Sequence, residues 1–274
     1  MPSEVSALQS WLSFVPRQRS FFVATAELCF QYHRIWKNGN EAITASLQAA
    51  AARNGSWNSS NSELQHPCRG RTLAFTFVRE PLAHFLSGYA EFEWRRSTRR
   101  FRLGRSHRNV SERDAEFFLH ELLNGTEPRC LPSTAPRRRA QCRHVPSVFP
   151  HCALQAGVLR GLSRANTRFG VLERSETTWN ALLRGTWLDG ARLVRCATKG
   201  CHNSSNDPQH AKQSMAALLA RRAELRRGLC ALLGPDYALL TELVPGEYHE
   251  AACSEVAHVG VEPKTARPVE RKKS

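Results

Sequence analysis

The sequence predicts an α/β fold with a central parallel sheet flanked by helices, and three observations predict it. Short apolar runs alternate with helical patterns along the chain. Two of these runs, Leu28–Trp36 and Arg71–Val78, each lead through a tight turn into a helix. The chain has 274 residues, 41% of them apolar, enough for one α/β domain with a sizeable core.

Each element follows from local chemistry. Leu28–Trp36 reads as a strand and Lys37-Asn38-Gly39-Asn40 as the turn that ends it. Glu41–Arg53 is an alanine-rich helix closed by Asn54-Gly55, and residues 54–70 form a polar loop. Arg71–Val78 is a buried-type strand with Phe75, Phe77 and Val78. Pro81 opens the next helix, as proline prefers at a first helical position, with Leu82, Phe85, Leu86 and Tyr89 as its apolar face. Ser87 lies on its polar side with His84 and Glu91. An arginine-rich stretch covers 95–110, a helix Glu112–Leu123, and a Pro/Arg loop 124–148. A helix over His151–Leu162, a strand over Arg168–Leu172, a helix capped by Ser175 through Leu183 and a long helix from about Gln213 to Leu233 complete the pattern. Residues 1–20 are expected to be poorly ordered, 21–255 to form the domain, and 256–274 to be a basic disordered tail.

Charge and cysteines bound the partners and the compartment. The net charge is +15 and the pI about 10.1, which attracts polyanions. No zinc finger, RNA-recognition aromatic motif or KH loop is present, so a nucleic-acid partner is not expected. Nine cysteines, and sequons at Asn54, Asn58, Asn109, Asn124 and Asn203, point to a glycoprotein of a secretory-pathway lumen. Cys142–Cys152 and Cys196–Cys201 are each close enough for a short disulfide loop. The cysteines and histidines fit no zinc pattern. No run approaches the ~18 apolar residues of a spanning helix, so any membrane anchor is expected to lie outside this chain.

Two constellations carry chemistry. A glycine-containing turn feeding a helix presents unpaired amides that can bind a phosphate, and Lys37 adds a point charge, although taken alone the segment reads as an ordinary strand-to-helix turn with an exposed lysine. It is not a Walker A loop, which needs a second glycine and a Lys-Ser/Thr ending. In the second, Phe77-Val78-Arg79-Glu80-Pro81 brings Arg79 to the C-terminal edge of the sheet, where open α/β sheets bind ligands. An arginine fork with the Ser87 hydroxyl suits one phosphate. The bland alternative pairs Arg79 with a carboxylate such as Glu80 and leaves Ser87 as a helix filler.

These residues resemble the Golgi carbohydrate sulfotransferases, of the group that includes the HNK-1 and chondroitin enzymes. The arginine of FVREP, with a serine eight positions on and then Tyr89, is similar to that family's 3′-phosphate motif. Arg34–Ile43 stands where its 5′-phosphosulfate loop belongs. His144 to Leu154, Phe169–Glu173 with Trp179, and Leu229-Cys230 with Asp236-Tyr237 resemble later family segments in order. The resemblance implies a P-loop-like three-layer fold and transfer of a sulfuryl group from 3′-phosphoadenosine 5′-phosphosulfate to a carbohydrate hydroxyl, without a metal. It implies that Lys37 contacts the bridging oxygen and 5′-phosphate. Asn38, Gly39, Asn40, Glu41 and Ala42 would cradle the phosphosulfate, and Arg79 and Ser87 would hold the 3′-phosphate. For the general base it offers Glu63 and His66, with Glu41 and His144 as alternatives. It also implies a membrane-associated Golgi or luminal setting. Two departures stand out: Trp36 replaces the family's proline, and Glu41 replaces a hydroxyl. A carboxylate there motivates the alternative of a non-catalytic relative that binds glycans. The arginines at 95, 96, 99, 100, 102, 105 and 108, which Arg137–Arg139 could extend, form either a solvated face or the wall of a groove for an acidic glycan.

Overall fold

The computed structural model describes residues 20–24, 28–35, 37, 39–54, 56–58, 71–102, 110–126, 152–186, 188–193, 208–250 and 253. It is an α/β fold built on one five-stranded sheet. β1 is Ser20–Ala24, β2 Leu28–His33, β3 Ser56–Asn58, β4 Arg71–Val78 and β5 Thr167–Val171, in the order β3-β1-β2-β4-β5. β2, β4 and β5 are parallel, with Tyr32 beside Phe75 and Val78 beside Val171. β1 runs antiparallel to β2, and β3 antiparallel to β1, so the sheet is mixed rather than wholly parallel. The polar loop expected over 54–70 therefore contains a short strand, and β1 begins inside the segment expected to be poorly ordered.

The helices are α1 (Asn40–Asn54), α2 (Pro81–Arg102), α3 (Glu112–Leu123), α4 (Gln155–Leu159), α5 (Ser175–Leu183), α6 (Pro208–Arg221) and α7 (Ala223–Leu243). Side chains of β4 alternate between two apolar clusters, as strand geometry requires. Phe75 and Phe77 meet Ile43, Leu47 and Trp179 of α1 and α5. Val78 belongs to the other cluster, with Phe85, Tyr89, Phe118, Leu219 and Leu229 from α2, α3, α6 and α7. Buried Thr76 donates to the His33 carbonyl at 2.7 Å and ties β4 to the end of β2.

Several boundaries differ from expectation for physical reasons. α2 continues through Arg102, so the first arginines of the basic stretch stand on a helix. Arg174, not Ser175, occupies the N-cap of α5, without a side-chain cap bond. The helix expected over His151–Leu162 shortens to five residues. The long helix expected over 213–233 is two, parted at Arg222, whose guanidinium engages Glu116 and Glu224. α7 passes through Gly234-Pro235, which reads as a stop in sequence, because Leu233, Tyr237 and Leu240 bury on both sides of it.

Cys230 is disulfide-bonded to Cys253, and Cys29 is also in a disulfide. Cys152 is a free, buried thiol, so the expected Cys142–Cys152 loop does not form. Cys196 and Cys201 lie outside the described residues. Among the described residues no helix is long and apolar enough to cross a membrane.

Candidate functional site

The C-terminal ends of β2 and β4 open on the same edge, which follows from their parallel register. Beyond β2 the chain turns through two left-handed residues, Lys37 with φ 66° and Gly39 with φ 69°. Gly39 suits that position through its backbone, and the tip of Leu172 lies close to it. The φ of Gly39 favours glycine, and a Cβ would stand 2.7 Å from Leu172 Cδ1. The Ile43 amide donates to the Gly39 carbonyl at 3.1 Å and begins the helical ladder, which places the amides of Asn40, Glu41 and Ala42 at the helix N-terminus. The Asn40 side chain does not face a ligand. It accepts from Tyr32 Oη at 2.6 Å and donates to the Ile35 carbonyl at 2.6 Å, bracing the turn from beneath. Glu41 is exposed in the first turn of α1, where a negative charge complements the helix dipole.

Arg79 follows β4 directly and crosses to the other turn. Its Nη1 donates to the Lys37 carbonyl at 3.1 Å. Its Nε is buried with no hydrogen-bond acceptor among the described residues, and Glu173 Oε1 stands 3.8 Å away. Glu80 does not pair with it. Its carboxylate accepts from the Leu82 and Ala83 amides and so caps α2. Burial lowers the Arg79 pKa, with Glu173 and Glu80 opposing.

A bracing network fixes this arginine from below. The buried Gln155 amide clamps the Arg79 peptide unit, its Oε1 accepting from Arg79 N at 3.0 Å and its Nε2 donating to Arg79 O at 2.7 Å. Gln155 is itself held by Asp236, whose carboxylate accepts from the Gln155 and Ala156 amides at 3.0 and 2.7 Å. Burial raises the Asp236 carboxyl to about 7 against those two bonds. Tyr237 Oη donates to Glu80. Tyr248 Oη donates to Glu173 at 2.5 Å, and the Glu80 amide donates to the other Glu173 oxygen at 3.2 Å. The later motif residues Glu173, Asp236 and Tyr237 thus converge on one dipeptide, Arg79-Glu80.

No protein-family model, curated protein or solved structure matches this chain.

Cations gather over the opening. Lys37 Nζ reaches Glu91 on α2 at 3.2 Å. Lys212 on α6 is partly buried, and burial, then the nearby Arg79, lowers its pKa. His84, Ser87 and Glu91 share one face of α2, and Ser87 is half-buried between the other two. His84 donates from Nε2 to the Ala153 carbonyl at 3.1 Å. Burial, then Arg79, pushes its pKa down to about 3, so it is neutral. The structure therefore brings together Lys37, Gly39, the amides of Asn40–Ala42, Arg79 and the Ser87 face. Asn38, Glu63, His66 and His144 lie outside the described residues. Sequence reasoning assigned no role to Gln155, Lys212 or Tyr248. The signal for Gln155 was a lone amide between Leu154 and Ala156 in an apolar stretch.

Proposed function

We propose that this chain is a sulfotransferase of P-loop-like α/β fold. It moves the sulfuryl group of 3′-phosphoadenosine 5′-phosphosulfate to a hydroxyl of a carbohydrate. The observation that carries this reading is Arg79. Its guanidinium lies on the turn that presents Lys37 and the α1 amides, and its buried Nε lacks an acceptor among the described residues. A phosphate oxygen fits that orphaned donor, since buried donors are rarely left unmatched.

In this reading Arg79, the Ser87 hydroxyl and Lys212 hold the 3′-phosphate. The amides of Asn40, Glu41 and Ala42 hold the 5′-phosphate. In the transfer the acceptor oxygen bonds to sulfur and the bond from sulfur to the bridging oxygen breaks. The leaving electron pair goes to the 5′-phosphate, which Lys37 stabilises. The acceptor proton goes to a base drawn from Glu41, Glu63, His66 or His144. Catalysis is then mostly positioning and electrostatics. The acceptor approaches along α2, whose C-terminal half carries the arginines of a basic wall for an acidic glycan. The disulfides and the exposed sequon residue Asn124 support a luminal, Golgi-type setting.

A non-catalytic glycan-binding relative is the second reading, favoured by one observation: Lys37 is engaged by Glu91. Calorimetric titration with adenosine 3′,5′-bisphosphate, alongside transfer of labelled sulfate to a glycan panel, separates the two. The sulfotransferase reading expects micromolar binding and transfer. Binding without transfer to any glycan selects the second reading, and no binding defeats the first.

A further inference from the structure

Glu91 divides its carboxylate between two cations. Oε2 accepts from Lys37 Nζ at 3.2 Å and Oε1 from Arg95 Nε at 2.7 Å. The Lys37 pair is largely withdrawn from water, its two side chains keeping 23% and 20% of their exposure, whereas Arg95 keeps 43%. Burial raises the Glu91 pKa, yet Lys37 and Arg95 outweigh it and hold the group below its ordinary value, so it is ionised. The pair joins the turn after β2 to the polar face of α2, one turn beyond Ser87.

The two ends of Lys37 are held differently. Its backbone is fixed by the left-handed turn and by the Arg79 bond to its carbonyl. Its ammonium sits at the end of a four-carbon stem that rotates readily. Moving that ammonium to a ligand breaks one ion pair, and Arg95 remains to neutralise the carboxylate left behind. We propose that Glu91 is an internal counter-ion that holds the Lys37 ammonium while the site is free, and that a polyphosphorylated ligand takes the ammonium over from it. The ligand's identity rests on the proposed function, but the competition itself does not. Such a device grades ligands by charge. A singly charged anion gains too little from Lys37 to displace a carboxylate already in place, while a polyphosphorylated one gains several such contacts at once.

The proposal fixes the signs of three changes. Glu91→Gln removes the competing charge at constant shape, so it tightens ligand binding. Arg95→Ala leaves Glu91 to Lys37 alone, so it weakens binding. Both effects act through Lys37, so both vanish in a Lys37→Met background. The test is calorimetry on the whole chain with two probes, pyrophosphate and adenosine 3′,5′-bisphosphate. Glu91→Gln is expected to tighten both by about ten-fold, as a nearby partly buried charge implies. Arg95→Ala should weaken both by roughly three-fold. With Lys37→Met present, either change should shift affinity by less than about two-fold. Equal or weaker binding by Glu91→Gln overturns the proposal, and so does a gain that persists in full without Lys37. If the competition is seen with pyrophosphate while the bisphosphate binds no variant, the counter-ion stands and the donor reading falls. If neither probe binds any variant, both fall. Should Glu91→Gln fail to fold, the exposed Arg95→Ala reads the same competition from the other side, and unchanged affinity there overturns it.

Discussion

The Arg79 guanidinium does two things at once, and a substitution can separate them. Nη1 holds the Lys37 carbonyl, while the buried Nε has no acceptor among the described residues and is open to a ligand oxygen. Arg79→Ala removes both functions and is expected to weaken adenosine 3′,5′-bisphosphate binding by about ten-fold or more, since a charge-assisted hydrogen bond contributes roughly 1.5–3 kcal/mol. Arg79→Lys keeps the charge but has a single nitrogen, which cannot bridge the turn and a phosphate together, so it should fall nearer the alanine variant than the wild type. Calorimetry on both variants checks this, and wild-type affinity in Arg79→Lys would reduce Arg79 to a point charge. Lys37 and Arg79 were legible in the sequence because each stands at a fixed offset from a strand end and a helix start. Glu91 was legible only as a polar-face neighbour of Ser87. Its bond to Lys37 spans 54 residues, and no local pattern encodes a contact at that distance.

At the scale of elements, α4 shows how a weak local structure becomes a rigid part. Five residues cannot sustain a helix alone, and Leu154 at its N-cap offers no side-chain acceptor. Asp236 supplies the cap from α7 instead, and Gln155 carries the resulting rigidity to Arg79. Gln155→Leu leaves the Arg79 amide and carbonyl without these partners. It is expected to cost about 2–4 kcal/mol in urea unfolding, the range for two stranded backbone groups, and to weaken bisphosphate binding through Arg79. Unchanged stability would mean that the peptide unit finds water in place of the amide. The same dependence on distant partners explains which elements the sequence predicts well. β4 and α3 match their expected bounds because each carries its own signal: a run of Phe and Val in one, and a capping box of Ser111 with Asp114 in the other. β1 and β3 did not stand out, since each is short and is a strand only because it pairs with a neighbour. The short α4 and the split between α6 and α7 belong to the same class, set by Asp236 and by Arg222 reaching across to Glu116.

For the molecule as a whole, the site makes folding sensitive to acid. His84 is buried beneath the two cations, and its pKa falls from 6.5 to about 3 through burial first and Arg79 next, with Lys37 a smaller cause. A histidine with a depressed folded pKa contributes stability that is complete above 6.5 and is lost as pH falls, because the unfolded chain takes the proton first. Between pH 7 and 5 the loss is about 2 kcal/mol, the slope approaching about 1.36 kcal/mol for each pH unit below 6.5. His33, lowered to about 4 by burial, acts in the same sense. Asp236, raised to about 7 by burial, acts in the opposite one: its carboxyl favours the folded state as pH drops through 7. A single pH curve therefore mixes signs, and the difference between wild type and His84→Gln isolates the histidine. In urea unfolding the wild type should lose about 2 kcal/mol more than His84→Gln between pH 7 and 5, and parallel losses would place the acid sensitivity elsewhere. The ligand enters the same balance. A phosphate bound to Arg79 and Lys37 offsets the positive charge that helps depress His84, so saturating adenosine 3′,5′-bisphosphate should narrow the difference between the two proteins at pH 5. A difference that stays constant while the bisphosphate still binds would put the phosphates away from these two cations.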